Sequence, residues 1–253
     1  MPIQVRQFAC LSDNYGYLVR DEVTGLAAAI DTPDAKAVLH ELEASGWKLA
    51  MILNTHWHPD HAGGNAEVKA ATGAEIVGPG EVRRISELDR EVAEGDEVRL
   101  GETVFRVIDT RGHTAEHISY YDAADGAVFV GDTLFALGCG RLFEGTPEMM
   151  WSSLSKLAAL PDATQVYCAH EYTASNARFA LSIDRGEAIR ARADQVFAAR
   201  AENRPTVPTT IGAEKASNPF LRAPLLAAAV GAPEDDPVAA FAAVRAAKDG
   251  FKG

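Results

Sequence analysis

Up to His170 the chain alternates between short runs rich in β-branched and aromatic residues and longer stretches whose apolar residues recur every three or four positions. Residues 3–8, 15–19, 26–30 and 49–54 have the length and pattern of strands, and residues 33–43 and 62–71 carry the helical period. Gly73 closes the second helix in the manner of a glycine cap. Residues 103–108, 118–121, 127–130 and 165–168 predict further strands, with Asp125-Gly126 as a hairpin turn. Residues 147–158 predict a helix that opens on Pro147 and stops before Pro161. Alternation of this kind argues for an α/β fold, sheets covered by helices.

Beyond His170 the character changes. Residues 175–182, 187–203 and 238–248 are rich in alanine and arginine and lack β-branched alternation. Ile189, Ala193, Val196 and Phe197 give the middle stretch one apolar face. Residues 205–210, with Pro205 and Pro208, read as an extended connector, and the alanines near Ala227 as ordinary helix. The expected organisation is a domain over residues 1–173 followed by a small helical domain over residues 174–253.

The chemistry is concentrated in His56-Trp57-His58-Pro59-Asp60-His61, directly after a predicted strand. On an extended loop His56, His58 and Asp60 project to one side, while His61 points elsewhere. Pro59 keeps His58 out of helical geometry. One metal ion can take His56 and His58, leaving Asp60 and His61 for a second. Three later candidates each follow a predicted strand: His113, Asp132 and His170. Loops beyond strand ends are where open sheets gather their chemistry. With Asp132 shared, these seven residues make two sites of four ligands. Nitrogen and carboxylate donors without cysteine suit zinc, iron or manganese. Two such ions lower the pKa of bound water to about 7, which provides a hydroxide nucleophile at neutral pH. Asp60 can orient that nucleophile as well as bind metal, so Asp60 and Asp132 are the candidate catalytic residues. His117 is a candidate hydrogen-bond partner of a ligand or a strand filler, and His40 lies on the outside of a helix.

His56 to His61 match the His-x-His-x-Asp-His motif, and the chain resembles the metallo-β-lactamase superfamily. Within it the chain is similar to the hydroxyacylglutathione hydrolase family, through residues 11–15, 138–146, 170–173 and 218–222 and the Arg245/Lys248 pair. The resemblance implies an αββα sandwich of two sheets packed face to face, with a small C-terminal all-helical domain. It implies two divalent metal ions, zinc first, and hydrolysis of an S-(2-hydroxyacyl)glutathione such as S-D-lactoylglutathione to D-lactate and glutathione. By the same resemblance Arg141, Phe143, Tyr172, Asn176, Arg245 and Lys248 bind the glutathione portion; Asn14, Tyr15 and Asp31 are read as either structural or supporting the site. The chain departs from the pattern at two places. Arg141 and Phe143 stand where animal members carry lysine and tyrosine, and Glu116 stands where glycine is usual.

Composition narrows the partners. The net charge of −12 disfavours nucleic acid, which recruits clustered lysine and arginine. It also requires a local positive patch for a substrate that carries carboxylates. No apolar run has the length of a membrane span. No basic-then-apolar leader opens the chain, and its 3 cysteines are scattered, which together point to the cytoplasm. A small-molecule thioester hydrolase acting as a monomer is the expected reading. The alternative from another reaction class is a glutathione-persulfide dioxygenase with one iron on the same scaffold.

Overall fold

The computed structural model describes residues 3–253. The chain forms two compact units, one spanning Met1–Asp109 and Thr114–Gly131, the other Thr110–His113 and Asp132–Gly253.

In the first unit six strands form one sheet in sequence order: β1 (Ile3–Cys10), β2 (Asn14–Asp21), β3 (Leu26–Ile30), β4 (Lys48–Leu53), β5 (Glu75–Gly78) and β6 (Arg90–Glu91). The first three run antiparallel and the rest parallel. Parallel neighbours need a crossover, supplied by α1 (Ala35–Ser45) and then by α2 (Pro59–Ala62) with α3 (Asn65–Thr72). Asp34 caps α1 by accepting from the backbone N–H groups of Lys36 and Ala37, and Gly46 ends it in the left-handed region. Val38, Leu42 and Val68 pack with Leu18, Ala29, Ile52 and Ile76 of the sheet.

Four more strands, β7 (Glu97–Leu100), β8 (Thr103–Asp109), β9 (Ile118–Asp122) and β10 (Ala127–Gly131), form an antiparallel meander. Its inner face meets the first sheet. The rings of Tyr17 and Phe129 lie 5.8 Å apart, and the Tyr120 hydroxyl donates to the Asn54 carbonyl at 2.9 Å. Phe105, Tyr120 and Phe129 are fully buried there. The result is a two-sheet sandwich whose strand ends carry the loops of interest.

The second unit opens with a tight hairpin, β11 (Leu134–Phe135) paired with β12 (Gly138–Cys139). Then come α4 (Pro147–Ala158), β13 (Gln165–Cys168), α5 (Thr173–Ile183) and α6 (Glu187–Ala201). The chain ends through β14 (Thr209–Thr210), α7 (Ile211–Ser217), α8 (Ala227–Val230) and α9 (Pro237–Asp249). Leu137, Ala177, Ala180, Ile189, Ala193 and Val196 form one core cluster here. Among the described residues no helix is long and apolar enough to cross a membrane.

Candidate metal centre

In the first unit, β4 delivers the chain into Asn54-Thr55-His56. His58 is extended (φ −57°, ψ 148°), and from Pro59 the chain turns helical through Ala62. Asp60 and His61 therefore project from a helical turn, not from the extended loop that residue alternation suggested. Proline fits the first position of a helix, where its missing N–H costs nothing, and an alanine Cβ at Gly63 would collide with the Pro59 carbonyl.

Asp31, at the end of β3, organises this cluster. Its carboxylate accepts from the Thr55 backbone N–H, the Thr55 hydroxyl and His61 Nδ1, each at 2.8 Å. A hydroxyl that donates to Asp31 is free to accept from His56 Nδ1, 3.0 Å away. Both His56 and His61 thus carry their proton on Nδ1 and present an Nε2 lone pair, the form that binds metal. His56 Nε2 lies 3.0 Å from His58 Nδ1, and His61 Nε2 lies 3.7 Å from Asp60 Oδ2. The Asn14 side-chain amide holds Asp60 through its carbonyl and carboxylate at 3.3 and 3.2 Å. His117 is fully buried and stacks on His56, with centroids 4.8 Å apart. His40 is exposed on α1.

In the second unit His113, Asp132 and His170 come together. His113 Nε2 lies 3.3 Å from Asp132 Oδ2, and His170 Nε2 lies 3.3 Å from Asp132 Oδ1. All three residues are buried. His113 Nδ1 is 2.9 Å from the Arg141 carbonyl, which can only accept, so Nδ1 carries a proton and the neutral ring presents its Nε2 lone pair to the carboxylate side. A neutral ring's lone pair facing a carboxylate oxygen is repulsive unless a cation, a proton or a metal ion, lies between them. The donor set of both clusters fits divalent metal ions on this ground.

The residues assigned to glutathione all fall in the second unit, in different settings. Arg141 is exposed, with Nε 3.9 Å from Asp249 Oδ1. Phe143 is 62% exposed and its ring lies 5.2 Å from that of His113. Tyr172 stacks on His170 at 4.6 Å with near-parallel planes. Asn176 is buried, and its amide donates to the Ala136 carbonyl at 3.1 Å. Arg245 is also buried, donating to the Cys139 carbonyl and the Asp249 carboxylate at 3.0 and 2.8 Å. Lys248 is half-buried and reaches the Ser175 hydroxyl at 3.2 Å. Burial, with the charges of Arg245, Arg178 and Arg141, pushes its ammonium down to about 8. Burial pushes the Cys139 thiol up to about 11 and the Cys10 and Cys168 thiols up to about 12, so none is a nucleophile at neutral pH.

A model of the metallo-beta-lactamase superfamily matches residues 24–170, and one described as hydroxyacylglutathione hydrolase C-terminus matches residues 171–251. The hydroxyacylglutathione hydrolase of Maricaulis maris (strain MCS10) is 55% identical over 251 residues, 98% of each chain. That of Rhodospirillum rubrum is 54% identical over 253 residues, 98% of this chain and 99% of the other. Among solved structures, ETHE1 from Myxococcus xanthus is similar with a TM-score of 0.71 and 29% identity, covering 96% of this chain and 90% of that one. Sandwich, donors and helical C-terminal part are those of a metallo-β-lactamase-fold metalloenzyme. Within that superfamily the chain belongs to the hydroxyacylglutathione hydrolase family.

Proposed function

We propose that the chain hydrolyses S-(2-hydroxyacyl)glutathione, S-D-lactoylglutathione first among them, to a 2-hydroxy acid and glutathione. Two divalent ions are held, zinc first by donor type with iron and manganese also suited. His56, His58 and His113 serve one ion and Asp60, His61 and His170 the other, with Asp132 shared. Groups of three among these donors are suited to hold an ion, and the 55% identical relative bears the matching name.

When bound, two such ions supply a hydroxide at neutral pH and polarise the thioester carbonyl. The chain's own residues do the rest. Asp31 and the Arg141 carbonyl keep the histidines in the metal-binding tautomer. Asp60, steadied by Asn14, orients the attacking oxygen. The new C–O bond forms as the C–S bond breaks, and the sulfur leaves as thiolate; with a thiol pKa of about 8.5, it needs no general acid. Arg141, Lys248 and Arg245 supply positive charge for glutathione against a net −12 chain. Tyr172, Phe143 and Asn176 complete that binding region, within a substrate-binding domain over residues 174–253 that follows a catalytic domain over residues 1–173. The protein works as a cytoplasmic monomer.

The observation that carries this reading is Asp132, whose two oxygens each face a different buried histidine at 3.3 Å. The test is loss of thioester absorbance on S-D-lactoylglutathione with metals counted by elemental analysis. Cleavage with two ions per chain is the expected result. One iron per chain, with oxygen consumed on glutathione persulfide and no thioester cleavage, would assign the dioxygenase chemistry instead.

A further inference from the structure

Glu214, on α7, is fully buried, and its carboxylate is met from two sides. Oε1 accepts from Arg192 Nη2 at 2.8 Å and from the Thr209 hydroxyl at 2.6 Å. Oε2 accepts from the Leu137 backbone N–H at 2.8 Å and from the Asn218 amide at 3.0 Å. Asn218 extends the grip, donating to the carbonyls of Phe135 and Gly138 at 3.0 and 2.9 Å. Three backbone groups of one hairpin are therefore fixed by one carboxylate and the amide it orients.

That hairpin carries strain of its own. Its two-residue loop, Ala136-Leu137, puts leucine in the left-handed region (φ 58°), where a side chain other than glycine's is strained. Its two ends matter to the metal centre. Gly140 N–H closes the hairpin on the Thr133 carbonyl at 3.2 Å, next to Asp132, and the following residue, Arg141, supplies the carbonyl that orients His113. Burying a carboxylate is costly without full compensation; here Arg192 and Thr209 compensate one oxygen, and the hairpin's Leu137 N–H and Asn218 the other.

We propose that Glu214 is a positioning residue for Asp132 and His113: through the hairpin it sets how firmly the metal centre keeps its ions. This rests on the metal-centre reading above. Outer partners of metal ligands change affinity or activity by about 10–100-fold when removed. The test compares the wild type, Glu214→Gln and Thr209→Val, the last removing a bond on the side of the carboxylate away from the hairpin. Metal count, rate of metal release to EDTA, thermal unfolding and thioester kinetics are measured on each. Glu214→Gln presents an amide N–H₂ to groups that are themselves donors. It is expected to release metal about tenfold faster or more, with kcat lowered. Its KM stays within about threefold of the wild type's. Thr209→Val is expected to lose some thermal stability yet release metal as the wild type does. If Glu214→Gln is recovered unfolded, Glu214→Asp, which keeps the charge one methylene short, is read the same way. Equal release from the wild type and the Glu214 variant, with stability lost as in Thr209→Val, would overturn the proposal alone. A wild type that retains no metal would overturn the metal reading and the proposal together.

Discussion

Asp132 offers one oxygen to His113 and the other to His170. Asp132 is the proposed shared ligand, so its removal would disturb two ligand environments, whereas loss of a terminal histidine would disturb one. Asp132→Ala is therefore expected to lower metal content and turnover more than His58→Ala, by about tenfold or more; two ions and near-normal kcat in Asp132→Ala would exclude a shared ligand. Lys248 gives a second prediction. An ammonium with a pKa of about 8 is charged below that pH and neutral above it. Under the proposed function its hold on a substrate carboxylate is present at pH 7 and lost as pH rises through 8, so KM is expected to climb between pH 7 and 9 with kcat changed less. Lys248→Arg keeps its charge throughout and should flatten that climb; an unchanged climb in the variant would place the titration elsewhere. The candidate donors of residues 56–61 stand out because histidine and aspartate two apart after a strand have few other uses. The burial of Arg245 was not legible. A basic residue near the end of a helix reads as solvated, and nothing in the local sequence announces the Cys139 carbonyl that it meets.

Elements were legible where the apolar period is strong, as in α1 and α4, and hidden where elements are short. The strands β5 and β7 have four residues each, and β6 has two, too few for alternation to stand out. The helical turn α2 was also hidden, because its determinants are Pro59 at the start and the Gly63-Gly64 pair at the end. Gly131, at the end of β10, shows how an element's last residue serves the site. Its φ is +47°, and an added Cβ would lie 2.5 Å from Thr55 Oγ1 and 2.7 Å from His117 Nε2. Thr55 is the link between Asp31 and His56. Gly131→Ala is accordingly expected to cost about 1–3 kcal/mol from backbone strain, with a further loss of metal as Thr55 is displaced. Thermal unfolding and metal counting check it. A variant destabilised but fully metallated would mean that the loop absorbs the methyl without moving Thr55.

At the scale of the whole molecule, the change of composition after His170 suggested a natural cut, and the family models also meet between residues 170 and 171. The compact units divide elsewhere: Asp132 and His170 lie in the same unit as every helix from α4 onward. A chain ending at Thr173 would keep Asp132 and His170 but lose Asn176, Glu214, Asn218 and Arg245. Those four side chains hold the hairpin through the carbonyls of residues 135, 136, 138 and 139 and the N–H of Leu137. It would also expose Leu137, which packs against Ala177, Ala180, Ile189, Ala193 and Val196. Residues 1–173 alone are therefore expected to bind fewer than two metal ions and to lose kcat as well as substrate affinity. If the helical segment acted on glutathione alone, the truncated chain would keep both ions. It would hydrolyse a small thioester lacking glutathione as fast as the full chain does, with only the glutathione KM raised. Metal counting beside kinetics on the two thioesters separates these outcomes, and retention of both ions by the truncated chain would remove the helices from the support of Asp132.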